Sequence, residues 1–149
     1  MAIEIVVQYA TDADGLPAPA DFHCWAAAAL GDREDAELAV RVVDREESRR
    51  LNAMYRGKDA PTNVLSFPAD LPPGVELPLL GDIVICAPLV EQEARDQHKT
   101  VTDHWAHLTV HGVLHLRGYD HLTDDEAAVM EALETRILTG LGCADPWRI

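Results

Sequence analysis

Hydrophobic and polar positions follow nine short patterns along the chain. Four stretches are apolar and rich in β-branched residues, as strands are, and they cover residues 3–8, 36–43, 63–67 and 80–87. Five stretches have helical spacing or helix boundary signals, and they cover residues 22–30, 45–55, 88–99, 104–116 and 124–139. Strands interleaved with helices predict an α/β or α+β domain of four strands and five helices.

Polar motifs predict several helix starts. Asp44 and Glu47 have the spacing of a reciprocal capping box at the second helix. Thr102 can cap the fourth helix, and Thr123 with Glu126 predicts a capping box at the fifth. The fifth helix then has an apolar face, predicted to be buried, of Val129, Met130, Leu133 and Ile137.

Length and composition indicate an ordinary globular chain. Its 149 residues suit one domain, residues 1–149, and a hydrophobic fraction of 48% argues against disorder. We find no apolar run of about 18 residues and no secretory signal, so a cytoplasmic protein without a membrane partner is expected. Cys24, Cys86 and Cys143 lack the spacing of metal ligands and are interpreted as reduced thiols.

The chain is strongly acidic. A formal net charge of −14 argues against broad binding of nucleic acid, since such proteins usually present a basic surface. Composition alone therefore disfavours an RNA partner, although a local basic cleft is compatible with it. The densest basic cluster is Arg49, Arg50, Arg56 and Lys58.

The strongest candidate site is a run of histidines in the fourth helix. His111 and His115 are four residues apart, so they lie one turn apart on one helix face and can bind a single metal ion. Gly118 can end the helix and reverse the chain, which would bring His121 to the same ion. Three histidine ligands with an open fourth position are typical of catalytic zinc. The alternative is a histidine-rich helix whose imidazoles are solvated or buried in the core.

This spacing also matches a metalloprotease pattern with one departure. In those enzymes a glutamate follows the first histidine and serves as general base, whereas this chain has Gly112 there. A protease therefore needs a replacement carboxylate. Glycine inside a helix costs about 1 kcal/mol relative to alanine. Its presence indicates either room beside the metal or close packing against a strand, and the sequence does not separate the two.

Other histidines and two carboxylates have open roles. His107 and His111 are also four residues apart, but the return to His121 favours His111 with His115 as the ligand pair. His107 is then a substrate contact, a second-layer residue or a buried structural imidazole. Asp120 either orients a ligand imidazole or shapes the turn, and Asp82 either is exposed or accepts the second ring proton of a ligand.

Arg56 is a candidate for phosphate binding. It lies at the predicted C-terminus of the second helix, where Gly57 ends the helix. Its guanidinium either points into the site or only complements the negative end of the helix dipole.

Three stretches resemble the YbeY family of bacterial, metal-dependent endoribonucleases. They are HLTVHGVLHLRGYDH (residues 107–121), NAMYRGKDAPTNVLSFP (residues 52–68) and GDIVI (residues 81–85), and they occur in the family's order. The resemblance implies a four-stranded mixed sheet around a central histidine helix, with zinc or another divalent metal in a cleft at one end. It also implies a single-strand-specific endoribonuclease that matures the 3′ end of 16S ribosomal RNA and acts in ribosome quality control.

The same resemblance implies residue roles and partners. His111, His115 and His121 would hold the metal, which would lower the pKa of water and polarise a phosphoryl oxygen. Arg56 and His115 would be catalytic, with Arg56, Lys58 and His107 at the substrate. The implied partners are ribosomal RNA, a small-subunit ribosomal protein and an assembly GTPase, and DNA is not expected.

Two rival functions stay open at this point. One is a metal-dependent hydrolase of a peptide or another small substrate, which suits the acidic charge but needs a new base. The other is a non-enzymatic ribosome-assembly factor with structural zinc, which a fourth protein ligand such as a cysteine would support.

Overall fold

The computed structural model describes residues 3–33, 35–75 and 77–146. Its strands are β1 (Ile3–Ala10), β2 (Ala36–Val43), β3 (Val64–Pro68) and β4 (Leu79–Cys86). Its helices are α1 (Pro19–Leu30), α2 (Arg45–Arg56), α3 (Ala87–Asp96), α4 (Val101–Leu116) and α5 (Asp124–Gly140). The predicted domain extent, residues 1–149, includes positions outside this description and stays a prediction.

The four strands form one mixed sheet in the order β1-β2-β4-β3. β1 and β4 both pair with β2 in parallel, and β3 pairs with β4 in antiparallel fashion. The predicted fold class, five helices with a four-stranded mixed sheet, is therefore confirmed. The parallel order is possible because helices carry the chain from one strand to the next.

Helix α4 lies at the centre of the packing. It contacts α1, α3 and α5 as well as β3 and β4, and most of its residues are buried. Ile83 of β4 points toward α4, whereas the neighbouring Val84 packs with Leu51 of α2. Since successive strand side chains alternate between faces, α4 and α2 cover opposite faces of the sheet.

The contact between α4 and β4 accounts for Gly112. A Cβ atom built on Gly112 would lie 2.9 Å from Cγ2 of Ile83. Real Cβ atoms do not approach another carbon this closely, so the glycine permits close packing of helix on strand. Of the two interpretations of Gly112, the structure supports packing.

The capping box predicted at the start of α2 is wrong. The side chain of Asp44 makes no cap hydrogen bond and instead accepts one from the Thr11 hydroxyl. Glu47 accepts hydrogen bonds from the Arg41 guanidinium, 3.0 Å apart at the longer contact, so its carboxylate is drawn to the sheet rather than back to the helix start. A strong ion pair thus replaces the predicted capping box.

The starts of α4 and α5 lie close to prediction. Thr100, not Thr102, caps α4, because its hydroxyl accepts the Asp103 N–H at 3.1 Å. Thr123 is confirmed as the cap of α5, since its hydroxyl accepts the Glu126 N–H at 3.1 Å. The return bond from the Glu126 side chain, which a full capping box requires, is not formed among the described residues. On α5 the predicted burial is confirmed for Met130 and wrong for Val129, which is 58% exposed. No helix among the described residues is both long and apolar enough to cross a lipid bilayer.

Candidate metal centre

Two of the candidate ligands lie next to each other on α4. The Nε2 atoms of His111 and His115 are 3.1 Å apart, and their ring centroids are 4.6 Å apart. One helical turn separates the residues, so both rings project from one face near the C-terminal end of the helix. Both side chains are half-buried.

A helix-ending motif brings the third histidine to this pair. Gly118 has a φ of 100°, a backbone conformation that favours glycine. The Gly118 N–H bonds to the His115 carbonyl and the Tyr119 N–H to the Leu114 carbonyl, each at 3.0 Å, which is the Schellman pattern. The chain then turns back, and the His121 ring lies 5.1 Å from that of His115.

Asp120 shapes this return. Its carboxylate accepts the backbone N–H of His121 at 2.8 Å, and so it fixes the peptide that carries the third imidazole. Of the two roles considered for Asp120, this contact supports shaping of the turn.

The three histidines fit a single metal ion. One ring nitrogen from each of His111, His115 and His121 lies within 4.8 Å of the others. Zinc–nitrogen bonds of about 2.0–2.1 Å place tetrahedral ligands roughly 3.3 Å apart, close to the spacing of the His111–His115 pair. Three imidazoles suit zinc and similar transition metals, whereas Mg²⁺ and Ca²⁺ prefer oxygen ligands. In residues 3–33, 35–75 and 77–146, no cysteine or carboxylate joins this group.

Glu134 of α5 lies directly behind the cluster. Its side chain is only 1% exposed, and one carboxylate oxygen contacts Nδ1 of His111. The other carboxylate oxygen lies 3.4 Å from Nε2 of His107. An ionised carboxylate only accepts hydrogen bonds, so it holds the His111 proton on Nδ1 and leaves the Nε2 lone pair facing the cluster.

The electrostatics favour this arrangement. Burial alone would raise the pKa of Glu134, but the hydrogen bonds from His107 and His111 outweigh burial and lower that pKa to about 2. Burial lowers the pKa of His115, and the neighbouring imidazoles of His111 and His121 lower it further. At neutral pH the carboxylate is therefore charged and the His115 imidazole neutral, as metal binding requires.

Sequence reasoning missed Glu134, although a signal was present. It lies one helical turn after Met130 and one turn before Leu138, so it falls in a row of apolar positions beside the predicted face of α5. A carboxylate on such a face is almost never fully buried unless it is paired. A search for charged residues on apolar helix faces would have found it.

Arg56 and Lys58 share a cavity with the three histidines. This recess of about 220 Å³ also includes Asn52, Thr62, Asn63 and Ser66. Arg56 is the last residue of α2, and Gly57 follows with a left-handed φ of 71°. Arg56 is therefore a cation at a helix C-terminus that also lines the candidate site, and its role at a phosphate stays a prediction.

Buried hydrogen bonds hold the loop between α2 and β3 over the cavity. The Ser48 hydroxyl donates to the Thr62 carbonyl at 2.8 Å and accepts the Thr62 N–H at 2.9 Å. The Asn52 amide donates to the Ala60 carbonyl at 2.8 Å. These bonds fix the segment that carries Lys58 opposite the histidines.

The structure does not bring Asp82 to this site. Asp82 alternates with Ile83 along β4, so its side chain lies on the sheet face that α2 covers. There it shares a surface groove with Arg41, Glu47 and Phe67. The face of the sheet on which Asp82 lies depends on how β4 pairs with its neighbours. A single sequence does not specify that pairing.

His107 lies one turn before the cluster and outside it. Its side chain is 10% exposed, and its Nε2 faces Glu134 rather than the other histidines. The ring also lines a second cavity of about 500 Å³, together with His104 and His111. His107 thus contacts the Glu134 carboxylate and lines the second cavity.

Comparisons with known proteins give one family match and one fold match. The sequence profile of the family described as endoribonuclease YbeY matches residues 21–142. The solution structure of TM1509 from Thermotoga maritima has a TM-score of 0.56 and 23% sequence identity to this chain. That match covers 99% of this chain and 100% of TM1509, and it shows a shared fold.

Proposed function

Since this chain belongs to the YbeY family of endoribonucleases, which are metal-dependent hydrolases, we propose that it is a zinc-dependent, single-strand-specific endoribonuclease. We further propose that it acts in the cytoplasm, on the 3′ end of 16S ribosomal RNA and in ribosome quality control. The observation that carries the proposal is one cavity holding three clustered histidines together with Arg56 and Lys58. It combines a metal-binding group with cations that suit a phosphodiester.

In this proposal His111, His115 and His121 hold the zinc ion. A zinc ion bound there supplies a Lewis acid, which activates water and polarises a phosphoryl oxygen. Glu134 keeps a proton on Nδ1 of His111, and the Asp120–His121 contact keeps the third imidazole in place. The chain thus holds one ring nitrogen of each histidine within 4.8 Å of the other two.

Arg56 and Lys58 bind and orient the substrate phosphate. The guanidinium of Arg56 is planar and can donate to two phosphate oxygens, and so it stabilises charge that develops during cleavage. Lys58 adds a second positive charge in the same cavity. Because the cavity is small, a flexible single strand can place one phosphodiester in it, whereas a rigid A-form duplex cannot bend into it.

A test of the Arg56 role compares Arg56→Ala with Arg50→Ala. Arg50 lies on the same helix, 60% exposed, and is absent from the described lining of the cavity. We expect Arg56→Ala to reduce cleavage of single-stranded RNA about a hundredfold, because a preorganised donor to developing charge is lost. Zinc content should stay unchanged in both variants, and Arg50→Ala should cleave normally. Equal cleavage by both variants would remove Arg56 from the proposed site.

The ribosomal role implies that the substrate is presented by partners. A chain with net charge −14 has little long-range attraction for naked RNA. A small-subunit ribosomal protein and an assembly GTPase would place the RNA end at the cavity. We therefore expect faster cleavage at the 3′ end of 16S RNA within immature small subunits than in the same RNA after deproteinisation. The reverse order would argue against a ribosomal function.

The two rival functions have less support. A structural zinc site needs a fourth protein ligand, and the described part of the chain supplies no cysteine or carboxylate to the three histidines. A peptide hydrolase of this type needs a carboxylate base in place of the glutamate position that Gly112 occupies here. Asp120 lines a recess with His115 and His121, but its carboxylate already accepts the His121 N–H. Arg56 and Lys58 beside the histidines suit a phosphodiester better than a peptide.

A further inference from the structure

A second cavity adjoins the candidate metal centre. Its volume is about 500 Å³, within the range of small-molecule sites. It shares Asn63, Val64 and His111 with the smaller cavity that contains Arg56 and Lys58. The two recesses are therefore neighbours, and the His111 ring belongs to the wall of each.

The wall of the second cavity combines apolar surface with hydrogen-bond acceptors. Val64, Leu108 and Pro146 contribute apolar atoms. Glu93 of α3 also lines the cavity, and its side chain is 30% exposed.

Hydrogen bonds hold the Glu93 carboxylate in place but leave part of its capacity to accept hydrogen bonds unused. Oε1 lies 2.8 Å from His104 Nε2 and accepts the Asn63 amide at 3.1 Å. Among the described residues, the one partner of Oε2 is the Asn63 amide, at 3.4 Å. A carboxylate has about four acceptor positions, so a ligand donor can still bind at Oε2. Burial alone would raise the pKa of Glu93, but the His104 and Asn63 contacts lower it, and the carboxylate is charged at neutral pH.

The lining of the second cavity is more acidic than that of the smaller cavity with Arg56 and Lys58. Glu93 and Asp96 contribute carboxylates, and Lys99 contributes the one ammonium group among the described lining residues. Buried Glu134 lies close behind His107 and His111 and adds negative potential. Such a recess disfavours a phosphate and favours a neutral group with hydrogen-bond donors.

We propose that this cavity binds an unpaired nucleobase next to the scissile phosphate, and that Glu93 selects bases with an exocyclic amino group. The inference rests on the proposed function and extends it to substrate selection. The phosphate lies with Arg56 and Lys58, and the adjoining base passes His111 into the second cavity. Apolar contact with Val64 and Leu108 covers the base, and Oε2 of Glu93 accepts its amino N–H, as carboxylates do in nucleic-acid recognition.

Nucleoside binding to the zinc-loaded chain tests this without cleavage, since nucleosides contain no phosphodiester. The probes are guanosine against inosine and adenosine against purine riboside, because the members of each pair differ only by the exocyclic amino group. Titrations followed by NMR should show about tenfold tighter binding of the amino-bearing member, the gain expected for a hydrogen bond to a charged acceptor. Methyl signals of Val64 and Leu108 should shift, which locates the site without any variant.

Glu93→Gln should remove the difference within each pair, and Glu91→Gln should retain it. Glu91 is exposed on the same helix and outside the described lining of the cavity. Glu93→Asp, which keeps the charge on a shorter side chain, should retain part of the preference and serves as the folding control. Equal affinities within each pair for the unmodified chain, or no shift of the two methyl signals, would overturn the inference.

Cleavage assays separate this inference from the proposed nuclease function. Single-stranded RNA cleaved by the unmodified chain, with nucleosides that bind equally, would overturn the base site and leave the nuclease intact. Discrimination among nucleosides without cleavage of any RNA would overturn the nuclease. If both proposals hold, Glu93→Gln should raise KM and relax base preference at the cleavage site while zinc content stays unchanged.

Discussion

At the scale of residues, the candidate site combines three histidines close in sequence with a carboxylate, Glu134, from another helix. His111, His115 and His121 follow from helical periodicity and one glycine, which are local properties of the sequence. Glu134 lies on another helix, α5. Asp82 lies on the face of the sheet opposite to α4, and this follows from how β4 pairs within the sheet. Both depend on tertiary packing, which a single sequence does not encode locally.

The contact between Glu134 and His111 leads to a prediction for metal affinity. Glu134→Gln keeps the shape of the side chain but loses the negative charge that holds the His111 proton on Nδ1. We expect zinc binding to weaken about 10- to 100-fold, the usual effect of losing a carboxylate partner of a ligand histidine. Competition with a chromophoric chelator measures the affinity.

Glu131→Gln is the matched control. Glu131 is exposed and lies about one turn earlier on α5. Its backbone carbonyl accepts a hydrogen bond from the Thr135 hydroxyl. Its zinc affinity should equal that of the unmodified chain. Equal affinities for all three proteins would show that Glu134 does not position the ligand.

At the scale of elements, the type and order of all nine elements were predicted, and their boundaries shifted by a few residues. The periodic α4 was found from its sequence pattern, although its cap is Thr100 rather than Thr102. The capping box predicted at α2 does not form, because the Glu47 carboxylate binds Arg41 of β2 instead. Capping signals are thus reliable only where no stronger ion pair competes.

The packing of α4 on β4 predicts opposite effects for two glycine substitutions. Gly112→Ala gains helix propensity worth about 1 kcal/mol but forces a methyl group against Ile83, and overpacking costs about 1–3 kcal/mol. A Cβ atom on Gly140, in the last turn of α5, would have no neighbour within 4 Å in the described part of the chain. Urea unfolding should give Gly112→Ala a lower free energy of unfolding than the unmodified chain and Gly140→Ala an equal or higher one. A Gly112→Ala chain as stable as Gly140→Ala would contradict the close contact.

At the scale of the whole molecule, we expect the acidic charge and the small cationic cavity to set how RNA binds. Two cations line the cavity among the described residues, Arg56 and Lys58. Release of counterions from about two phosphates gives a slope near −1.4 for log affinity against log salt. Fluorescence anisotropy with a single-stranded oligonucleotide measures this slope. A slope steeper than about −4 would indicate a broad basic surface that we do not find.

Metal binding should also stabilise the whole fold, because the three histidines join α4 to the segment that follows it. Free zinc at 100 times its dissociation constant adds about 2.7 kcal/mol to the free energy of unfolding. For a chain of this size that corresponds to a rise in Tm of roughly 5–10 °C. Scanning calorimetry should show the rise with zinc, its loss with a chelator, and little change with magnesium. An equal rise with magnesium would contradict a nitrogen-ligand site.

The most direct test of the account is cleavage of a single-stranded ribosomal RNA fragment by the zinc-loaded chain, beside His115→Ala and His23→Ala purified in the same way. His23 lies exposed on α1, outside the histidine group. We predict cleavage by the unmodified chain and by His23→Ala, and none by His115→Ala. Equal cleavage by His115→Ala would contradict the account, because the activity would then not depend on the three-histidine metal centre.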